Sequence, residues 1–153
     1  MTSTSDIWDA HGETAIVCEV QFRQFGGVET FSGAIATVRC SEDNVLVKRR
    51  VAEPGAGRVL VVDGGGSLRC ALVGDNVAGL ALANGWGGLV INGCVRDVEA
   101  LANLEIGVKA LGSNPRPSRK DGAGEVDVPV SFGGAVFTPG EMLYSDADGI
   151  VVI

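Results

Sequence analysis

Arg96 and Asp97 are adjacent residues of opposite charge that follow an apolar segment of the chain. A guanidinium there could hold an oxyanion through two parallel hydrogen bonds. The carboxylate could bind a hard divalent cation, because such ions prefer oxygen ligands. The same two residues could instead form a surface ion pair in which Asp97 caps a following helix, an arrangement that is common and contributes little free energy. The residue types alone leave both interpretations open.

Gly74-Asp75-Asn76 is a second candidate site, because it directly precedes a segment with helical spacing. The first N–H groups of a helix have no partner inside the helix, so they can bind a carboxylate or a phosphate. The alternative is a tight turn with Asp75 or Asn76 as the N-cap. A third cluster, at residues 63–66, lacks the Gly-Lys-Ser/Thr of a phosphate-binding loop and the spacing of a dinucleotide fingerprint.

Composition argues against several classes of function. The 153 residues include 12 Lys plus Arg and 19 Asp plus Glu, and the resulting net charge of −7 disfavours direct binding to nucleic acid. The single histidine, His11, makes a zinc site or a Ser-His-Asp or Cys-His hydrolase improbable. The four scattered cysteines are expected to be buried, reduced thiols of a cytoplasmic protein: Cys18, Cys40, Cys70 and Cys94.

The candidate residues need elements to position them, and the middle of the chain predicts a parallel sheet. Residues 58–63 and 88–92 are continuous apolar runs, which is typical of strands buried on both faces. Predicted strands and helices alternate here, and this order favours parallel strands with right-handed crossovers. The other predicted elements are strands at 32–40 and 107–111 and helices at 44–51, 77–84 and 98–104. In open sheets of this kind, ligands bind beyond the carboxyl ends of the strands.

The last third of the chain has a different pattern. Short segments at 125–130, 135–137, 141–145 and 149–153 are separated by Gly-Gly, Pro-Gly and Asp-Gly, which predicts antiparallel hairpins. A polar stretch at 113–124 predicts an exposed connection. The length predicts one domain, residues 1–153, of mixed α/β structure. No apolar stretch reaches the roughly 20 residues that cross a bilayer, and the polar N-terminus shows no secretory signal.

Several runs of residues resemble the regulator of ribonuclease activity A family, and the likeness extends from about Thr4 to Ile153. The runs are Phe25-Gly26-Gly27, Arg58-Val59-Leu60-Val61-Val62-Asp63-Gly64-Gly65-Gly66-Ser67, Asn84-Gly85-Trp86, Gly93-Cys94-Val95-Arg96-Asp97, Phe132-Gly133-Gly134 and Leu143-Tyr144-Ser145-Asp146. The family also contains class II pyruvate aldolases, which cleave 4-hydroxy-4-methyl-2-oxoglutarate and 4-carboxy-4-hydroxy-2-oxoadipate. The resemblance implies the family's swivelling β/β/α domain, assembled as a homotrimer or as a hexamer of paired trimers.

The aldolases of this family carry an Asp, twenty intervening residues and then Arg-Asp, followed by an acidic group. Asp75 is followed here by twenty residues and then by Arg96-Asp97, and Glu99 and Glu105 are the acidic groups downstream. Ribonuclease-regulating members can lack the second Asp of this motif. The presence of Asp97 therefore favours a lyase.

The resemblance also implies a role for each site residue. Backbone amides from Gly74 through Asp75 and Asn76 to Val77 would bind the carboxylate of a 2-oxo acid substrate. Asp97 would position Mg²⁺ or Mn²⁺, largely through water. Arg96 would stabilise the oxygen of the pyruvate enolate, and Asp75 would support the site with hydrogen bonds.

The resemblance thus predicts a metal-dependent lyase that releases pyruvate, with oxaloacetate decarboxylation as a second activity through the same enolate. The alternative is a protein that binds and inhibits an endoribonuclease of the ribonuclease E type without catalysing a reaction. An acidic surface is compatible with that alternative, because it could dock on basic segments of the ribonuclease.

Overall fold

Within residues 2–153, the part of the chain that the computed structural model describes, there are four α-helices and twelve β-strands. In chain order they are α1 Thr4–His11, β1 Ile16–Cys18, β2 Arg23–Gln24, β3 Phe31–Arg39, α2 Val45–Val51, β4 Val59–Asp63, β5 Ala71–Val73, α3 Asp75–Ala83, β6 Gly88–Val95, α4 Val98–Leu101, β7 Gly107–Ser113, β8 Glu125–Val126, β9 Val130–Phe132, β10 Ala135–Phe137, β11 Met142–Ser145 and β12 Ile150–Val152. A short 3₁₀ turn, Gly12–Thr14, follows α1.

A ten-stranded mixed sheet forms the centre of the molecule, with the order β1-β12-β11-β3-β4-β6-β7-β2 along its main path. Strands β3, β4, β6 and β7 are parallel neighbours. The C-terminal strands β11 and β12 extend this sheet in antiparallel fashion, with β1 at the edge. Strands β9 and β10 form a separate hairpin. The predicted mixed α/β class, with a parallel centre and a β-rich C-terminal third, is confirmed.

The parallel strands are apolar along their whole length because both faces of the sheet are covered. On β4, Leu60 and Val62 belong to one core cluster, whereas Val59 and Val61 belong to another. Successive strand residues point to opposite faces, so neighbours in sequence enter different cores. The first cluster includes residues of α2 and α3, and the second includes residues of the β9–β10 hairpin and of β11 and β12. Helices α2 and α3 therefore pack on one face of the parallel strands, and the β9–β10 hairpin packs on the other, where side chains of β11 and β12 join the same core.

Strand β6 continues three residues beyond its predicted end at Asn92. Strand β4 pairs with its first part as far as Asn92. Beyond that point β5 pairs in parallel with Cys94 and Val95, while β7 pairs along the opposite edge. The sequence pattern missed this extension because Asn92 and Gly93 interrupt the apolar run. Its consequence is that Arg96 and Asp97 directly follow the strand.

Two sequence expectations concern the cysteines and the membrane. All four cysteines are free and buried, as expected. No helix within residues 2–153 is both long enough and apolar enough to span a membrane.

Candidate functional site

A cavity of about 640 Å³ lies beyond the carboxyl ends of β5 and β6. Its wall includes both candidate clusters of the sequence: Gly74, Asp75, Asn76 and Val77 from the start of α3, and Arg96 and Asp97 from the end of β6. Residues of α2 and of the connection after β7 complete the wall. The topology thus brings together two clusters that are about twenty residues apart in the chain.

The start of α3 leaves donors available to this cavity. The N-cap of α3 is Gly74, which has no side chain to cap the helix. Neither Asp75 nor Asn76 is therefore the N-cap, and the capping alternative is wrong. The Ala78 N–H donates to the carbonyl of Gly74, at 3.0 Å. The amides of Asn76 and Val77 precede the first intrahelical bond and have no protein acceptor within residues 2–153. Both can therefore donate to an anion in the cavity.

Asp97 links the two clusters directly. Its Oδ2 accepts a hydrogen bond from the backbone N–H of Asp75, at 3.2 Å. Although Asp97 is the residue before α4, its side chain makes no capping bond to that helix. Its backbone is left-handed, with φ 58° and ψ 45°, a conformation that Asp tolerates better than most residues. The idea that Asp97 merely caps α4 is therefore wrong, because its carboxylate turns to α3 instead.

Gly74 allows this close approach. A Cβ at position 74 would lie 2.6 Å from Asp97 Oδ2 and 3.3 Å from Arg96 Cγ, closer than such contacts occur without a shift. The side chains of Arg96 and Asp97 therefore pack against the backbone at the start of α3. Sequence analysis placed Gly74 in the site, but only the structure shows this steric reason.

The guanidinium of Arg96 is held only lightly by the protein. Nη1 donates to the carbonyl of Pro115 at 3.4 Å, the far end of the range for a hydrogen bond. Arg96 forms no ion pair within residues 2–153, so the proposed surface pair with Asp97 is also wrong. Most of its five N–H donors are free for a ligand.

Three further cations line the cavity, and sequence analysis did not place them in a site: Lys48, Arg49 and Lys120. Lys48 and Arg49 lie in the last turn of α2, where basic residues interact favourably with the helix dipole and need not belong to a site. None of the three forms an ion pair with another described residue. The neighbouring Arg50 behaves differently, since it is buried and pairs with Glu53 at 2.5 Å and Asp127 at 3.2 Å. Of these three consecutive basic residues, Lys48 and Arg49 thus line the cavity, whereas Arg50 forms ion pairs within the fold.

Lys120 reaches the cavity because Asp43 and Asn44 anchor the connection that carries it. Lys120 Nζ donates to Asn44 Oδ1 at 2.6 Å and to Ser118 Oγ at 3.2 Å. Asn44 Nδ2 in turn donates to the carbonyl of Leu72 on β5, at 2.9 Å. The polar connection predicted from the sequence is therefore a fixed part of the cavity wall.

Asp43 is the buried anchor of this arrangement. One oxygen accepts from the N–H of Val45, and the other from the N–H groups of Asp121, Gly122 and Ala123, at 2.8–3.4 Å. Burial opposes the charge, but these four bonds outweigh it and hold the pKa of the Asp43 carboxyl below its ordinary value. A polar pair before a helix, Asp43-Asn44, was the available signal in the sequence.

Some sequence candidates lie outside the cavity wall. The turn at residues 63–66 closes on itself and on β6: Asp63 Oδ1 accepts from Gly65 N–H and from Asn92 Nδ2, at 2.9 and 3.0 Å. Glu99 and Glu105, the two acidic groups after the Arg-Asp motif, do not line the cavity. Neither therefore completes the site within this chain.

The donors present fit a weakly held hard cation. Within residues 2–153 no three His, Cys, Asp or Glu side chains cluster as a complete metal site. Asp97 has one oxygen on the Asp75 amide, and its other oxygen makes no bond to a described residue. One carboxylate beside a roomy cavity suits Mg²⁺ or Mn²⁺, which bind through one or two carboxylates together with water and substrate oxygens. It does not suit Zn²⁺, which prefers nitrogen and sulfur ligands.

Comparison with known proteins gives the family. A model described as RraA-like, Aldolase/RraA, matches residues 3–152. The chain belongs to this family. The RraA-like family includes both aldolases and regulators of ribonuclease, so membership confirms the resemblance without choosing between the two functions.

Three similar solved structures agree with the fold. A protein from Geobacillus kaustophilus, described as an S-adenosylmethionine:2-dimethylmenaquinone methyltransferase, is 46% identical, with a TM-score of 0.97 over 99% of this chain and 94% of that one. The RNA-processing inhibitor RraA from Thermus thermophilis is 44% identical, with a TM-score of 0.97 over 100% and 93%. RraAS2 of Streptomyces coelicolor, an RNase ES inhibitor family member, is 26% identical, with a TM-score of 0.76 over 90% and 72%. These names describe different activities, so a proposal for this chain has to rest on the residues of its site.

Proposed function

We propose that this protein is a metal-dependent lyase that cleaves 2-oxo acids of the 4-hydroxy-4-methyl-2-oxoglutarate type and releases pyruvate. The observation that carries the proposal is the meeting of Arg96 and Asp97 with the unpaired amides of α3 in one cavity. Oxaloacetate decarboxylation is proposed as a second activity, because it passes through the same pyruvate enolate.

The α3 amides and Arg96 bind different groups of the substrate. The N–H groups of Asn76 and Val77 bind the carboxylate next to the keto group, with the positive end of the helix dipole behind them. Arg96 donates to the keto oxygen, which gains negative charge as the bond to the leaving group breaks. A donor that is in place before the reaction stabilises this charge without reorganisation.

A divalent cation at Asp97 would supply Lewis-acid polarisation of the 2-oxo acid. The bond from the Asp75 amide fixes the rotamer of Asp97, and the left-handed backbone turns its carboxylate to α3. Asp75 adds a second carboxylate to the cavity wall. The Asp75 amide therefore holds the Asp97 carboxylate in place before substrate arrives.

Charge in the cavity supports an anionic substrate. Four cations and only two carboxylates line it, in a chain whose net charge is −7. Because none of the four cations is paired with a described carboxylate, a substrate with two or three carboxylates would supply the missing negative charge. Exposed anions elsewhere on the chain do not compete for these positions.

We also propose that the site is completed between subunits of a trimer. Arg96 and Asp97 are exposed in the single chain, and Val98, which directly follows them, also has an exposed apolar side chain. A second copy over this edge would exclude water and could supply the acidic group that Glu99 and Glu105 do not. Light scattering should give about three or six times the chain mass of 15.7 kDa, and a monomer would remove the shared site.

A coupled assay for pyruvate release tests the lyase directly. Oxaloacetate and 4-hydroxy-4-methyl-2-oxoglutarate are offered to the purified protein with Mg²⁺ or Mn²⁺, and again after exhaustive chelation. The proposal expects release that chelator abolishes and either metal restores. Absence of release from both substrates, or full activity after chelation, would contradict it.

The alternative function is inhibition of a ribonuclease by binding to it. Two observations favour it: the 44% identity to a protein named as an RNA-processing inhibitor, and the acidic surface, which suits basic segments of a partner. Binding to the ribonuclease would use this outer surface rather than the cavity. It should therefore survive Asp97→Asn and Arg96→Lys, and ribonuclease binding by a protein that releases no pyruvate would favour regulation.

A further inference from the structure

A second cavity, of about 300 Å³, adjoins the first and shares Pro117 with it. Its other lining residues are Glu42, Arg69, Cys70, Arg116 and Arg119. Three guanidiniums and one carboxylate thus surround a small concave space, in a protein whose net charge is −7. Nothing in the proposed lyase reaction uses these residues.

Hydrogen bonds fix the backbone at all three arginines, and at Arg69 the N–H donates to Ser67 Oγ at 3.2 Å. The carbonyl of Arg116 accepts from the N–H of Ala71 on β5, at 2.8 Å, and its N–H donates to Asn114 Oδ1, at 2.9 Å. The N–H of Arg119 donates to the carbonyl of Glu42, at 2.8 Å. The side chains therefore start from fixed points around the cavity, which lowers the entropy lost when they bind a ligand.

Most of the guanidinium donors remain available. Arg69 uses Nε and Nη2 on the carboxylate of Glu42, at 2.8 and 3.3 Å. Arg119 uses Nη2 on the carbonyl of Ser41, at 3.1 Å. The guanidinium of Arg116 has no hydrogen-bond partner in the described part of the chain. One carboxylate cannot satisfy three guanidiniums, so two positive charges lack a counter-charge.

The floor of the cavity adds no negative charge of its own. Cys70 is 5% exposed, and burial raises the pKa of its thiol, although the three nearby guanidiniums act in the opposite direction. The thiol is therefore neutral at pH 7. A ligand with two negative charges in a compact group would match the two unpaired guanidiniums.

We propose that this second cavity binds a phosphate group. Arginine forks match tetrahedral oxyanions with paired N–H bonds, and charge-assisted bonds of this kind are about twice as strong as neutral ones. A phosphate carries nearly two charges at pH 7, which balances Arg116 and Arg119 while Arg69 stays on Glu42. The site is separate from the one proposed for the 2-oxo acid.

Isothermal titration calorimetry with inorganic phosphate at low ionic strength tests the proposal. The variant with both Arg116→Gln and Arg119→Gln should bind phosphate at least about tenfold more weakly, the scale of one charged hydrogen bond lost. The variant with both Arg23→Gln and Arg39→Gln is the matched control, since it also removes two charges, on β2 and β3, outside both cavities. The control should stay within about twofold of the unchanged protein.

A further variant and a spectroscopic readout keep the result unambiguous. Arg96→Gln should retain phosphate binding; if it loses binding and the double variant does not, phosphate occupies the larger cavity and the proposal fails. In amide NMR spectra of the unchanged protein, phosphate should shift the signals of Cys70, Arg116 and Arg119. This measurement needs no variant, so its result does not depend on whether the variants fold. Methyl phosphate as a second probe distinguishes free phosphate from a phosphomonoester group. Absence of binding by both probes would overturn the proposal.

Discussion

The motif at the end of β6 and the anchor at Asp43, which holds the connection at residues 113–124, are both charged parts of the site region. They differ in how their charges are satisfied. Asp43 accepts four backbone N–H bonds. Arg96, by contrast, makes one long bond to a carbonyl. A buried charge without hydrogen-bond partners would destabilise the fold, so the Asp43 carboxylate requires its four bonds. Arg96 is exposed to solvent, so its guanidinium can lack a protein partner until a ligand binds.

This difference separates residues that hold the structure from residues that act on a ligand. Changes at Asp43 should lower stability and affect activity only through the fold. Changes at Arg96 or Asp97 should lower activity and leave stability nearly unchanged. Each of the following experiments measures activity, stability or both, and a result with the opposite pattern would break the comparison.

The largest expected effect is on activity. Asp97→Asn keeps the size of the side chain and an oxygen for the Asp75 amide but removes the charge that holds a cation. We expect kcat/KM on oxaloacetate to fall about 100-fold or more, the scale for losing one preorganised charged group. The melting temperature should change little, because Asp97 is exposed. Wild-type decarboxylation by the variant would show that the site is wrongly assigned.

Asp43→Ala should produce the reverse pattern. It leaves four backbone N–H groups without their acceptor, which we expect to lower the free energy of unfolding by about 2–3 kcal/mol. Urea denaturation measures this loss. Asp121→Ala is the matched control, because it removes a carboxylate from the anchored connection but leaves the backbone N–H that donates to Asp43. Equal stability of the two variants would mean that Asp43 does not anchor the loop.

Gly74→Ala tests the contact between the two clusters. The added methyl would meet Asp97 Oδ2 at 2.6 Å, so Asp97 and Arg96 must move away from α3. A displacement near 1 Å in a catalytic group can reduce rates by an order of magnitude or more, and we expect kcat/KM to fall about tenfold. Gly79→Ala on the same helix is the control, since a Cβ there meets nothing within 4 Å. Equal activity of both variants would contradict the close packing.

The smallest effect concerns acid. The pKa of Asp43 is lower in the folded protein than in the unfolded chain, so its stabilising contribution is complete above the ordinary Asp pKa of about 4 and is lost as pH falls through the lower folded value. The difference in unfolding free energy between the wild type and Asp43→Asn should therefore be constant from pH 7 to about 5 and shrink below about pH 4. If this difference in unfolding free energy instead grows with acidity, folding raises the pKa of Asp43 rather than lowering it.

The sequence predicted the elements of the fold better than it predicted the contacts between them. The runs in β4 and β6 and the spacing of α3 were sufficient for the parallel centre, because burial on both faces leaves a continuous apolar signature. Pairing of β11 with β3 was not visible, since it joins segments about a hundred residues apart and no local pattern encodes the partner.

The candidate site was predicted in part for the same reason. Arg96, Asp97 and Gly74 stand out by type and position, and the structure places them together. Lys120 did not stand out, because it reaches the cavity only through Asn44 and the loop held by Asp43. Lys48 and Arg49 lie in the last turn of α2, where basic residues are common without any binding role. Their position depends on which face of α2 turns to the sheet, and Val47, Arg50 and Val51 occupy that face.

Exchange of the methyl protons of pyruvate with D₂O tests the central claim most directly, because it reports formation of the enolate without any leaving group. Proton NMR follows the methyl signal of pyruvate with Mg²⁺ and either the wild type or Arg96→Lys, which keeps the charge but loses the forked geometry. The account predicts that the signal decays with the wild type and that the variant slows the decay about 100-fold or more. A stable methyl signal with the wild type, or equal decay with both proteins, would contradict the assignment of this cavity as a lyase site.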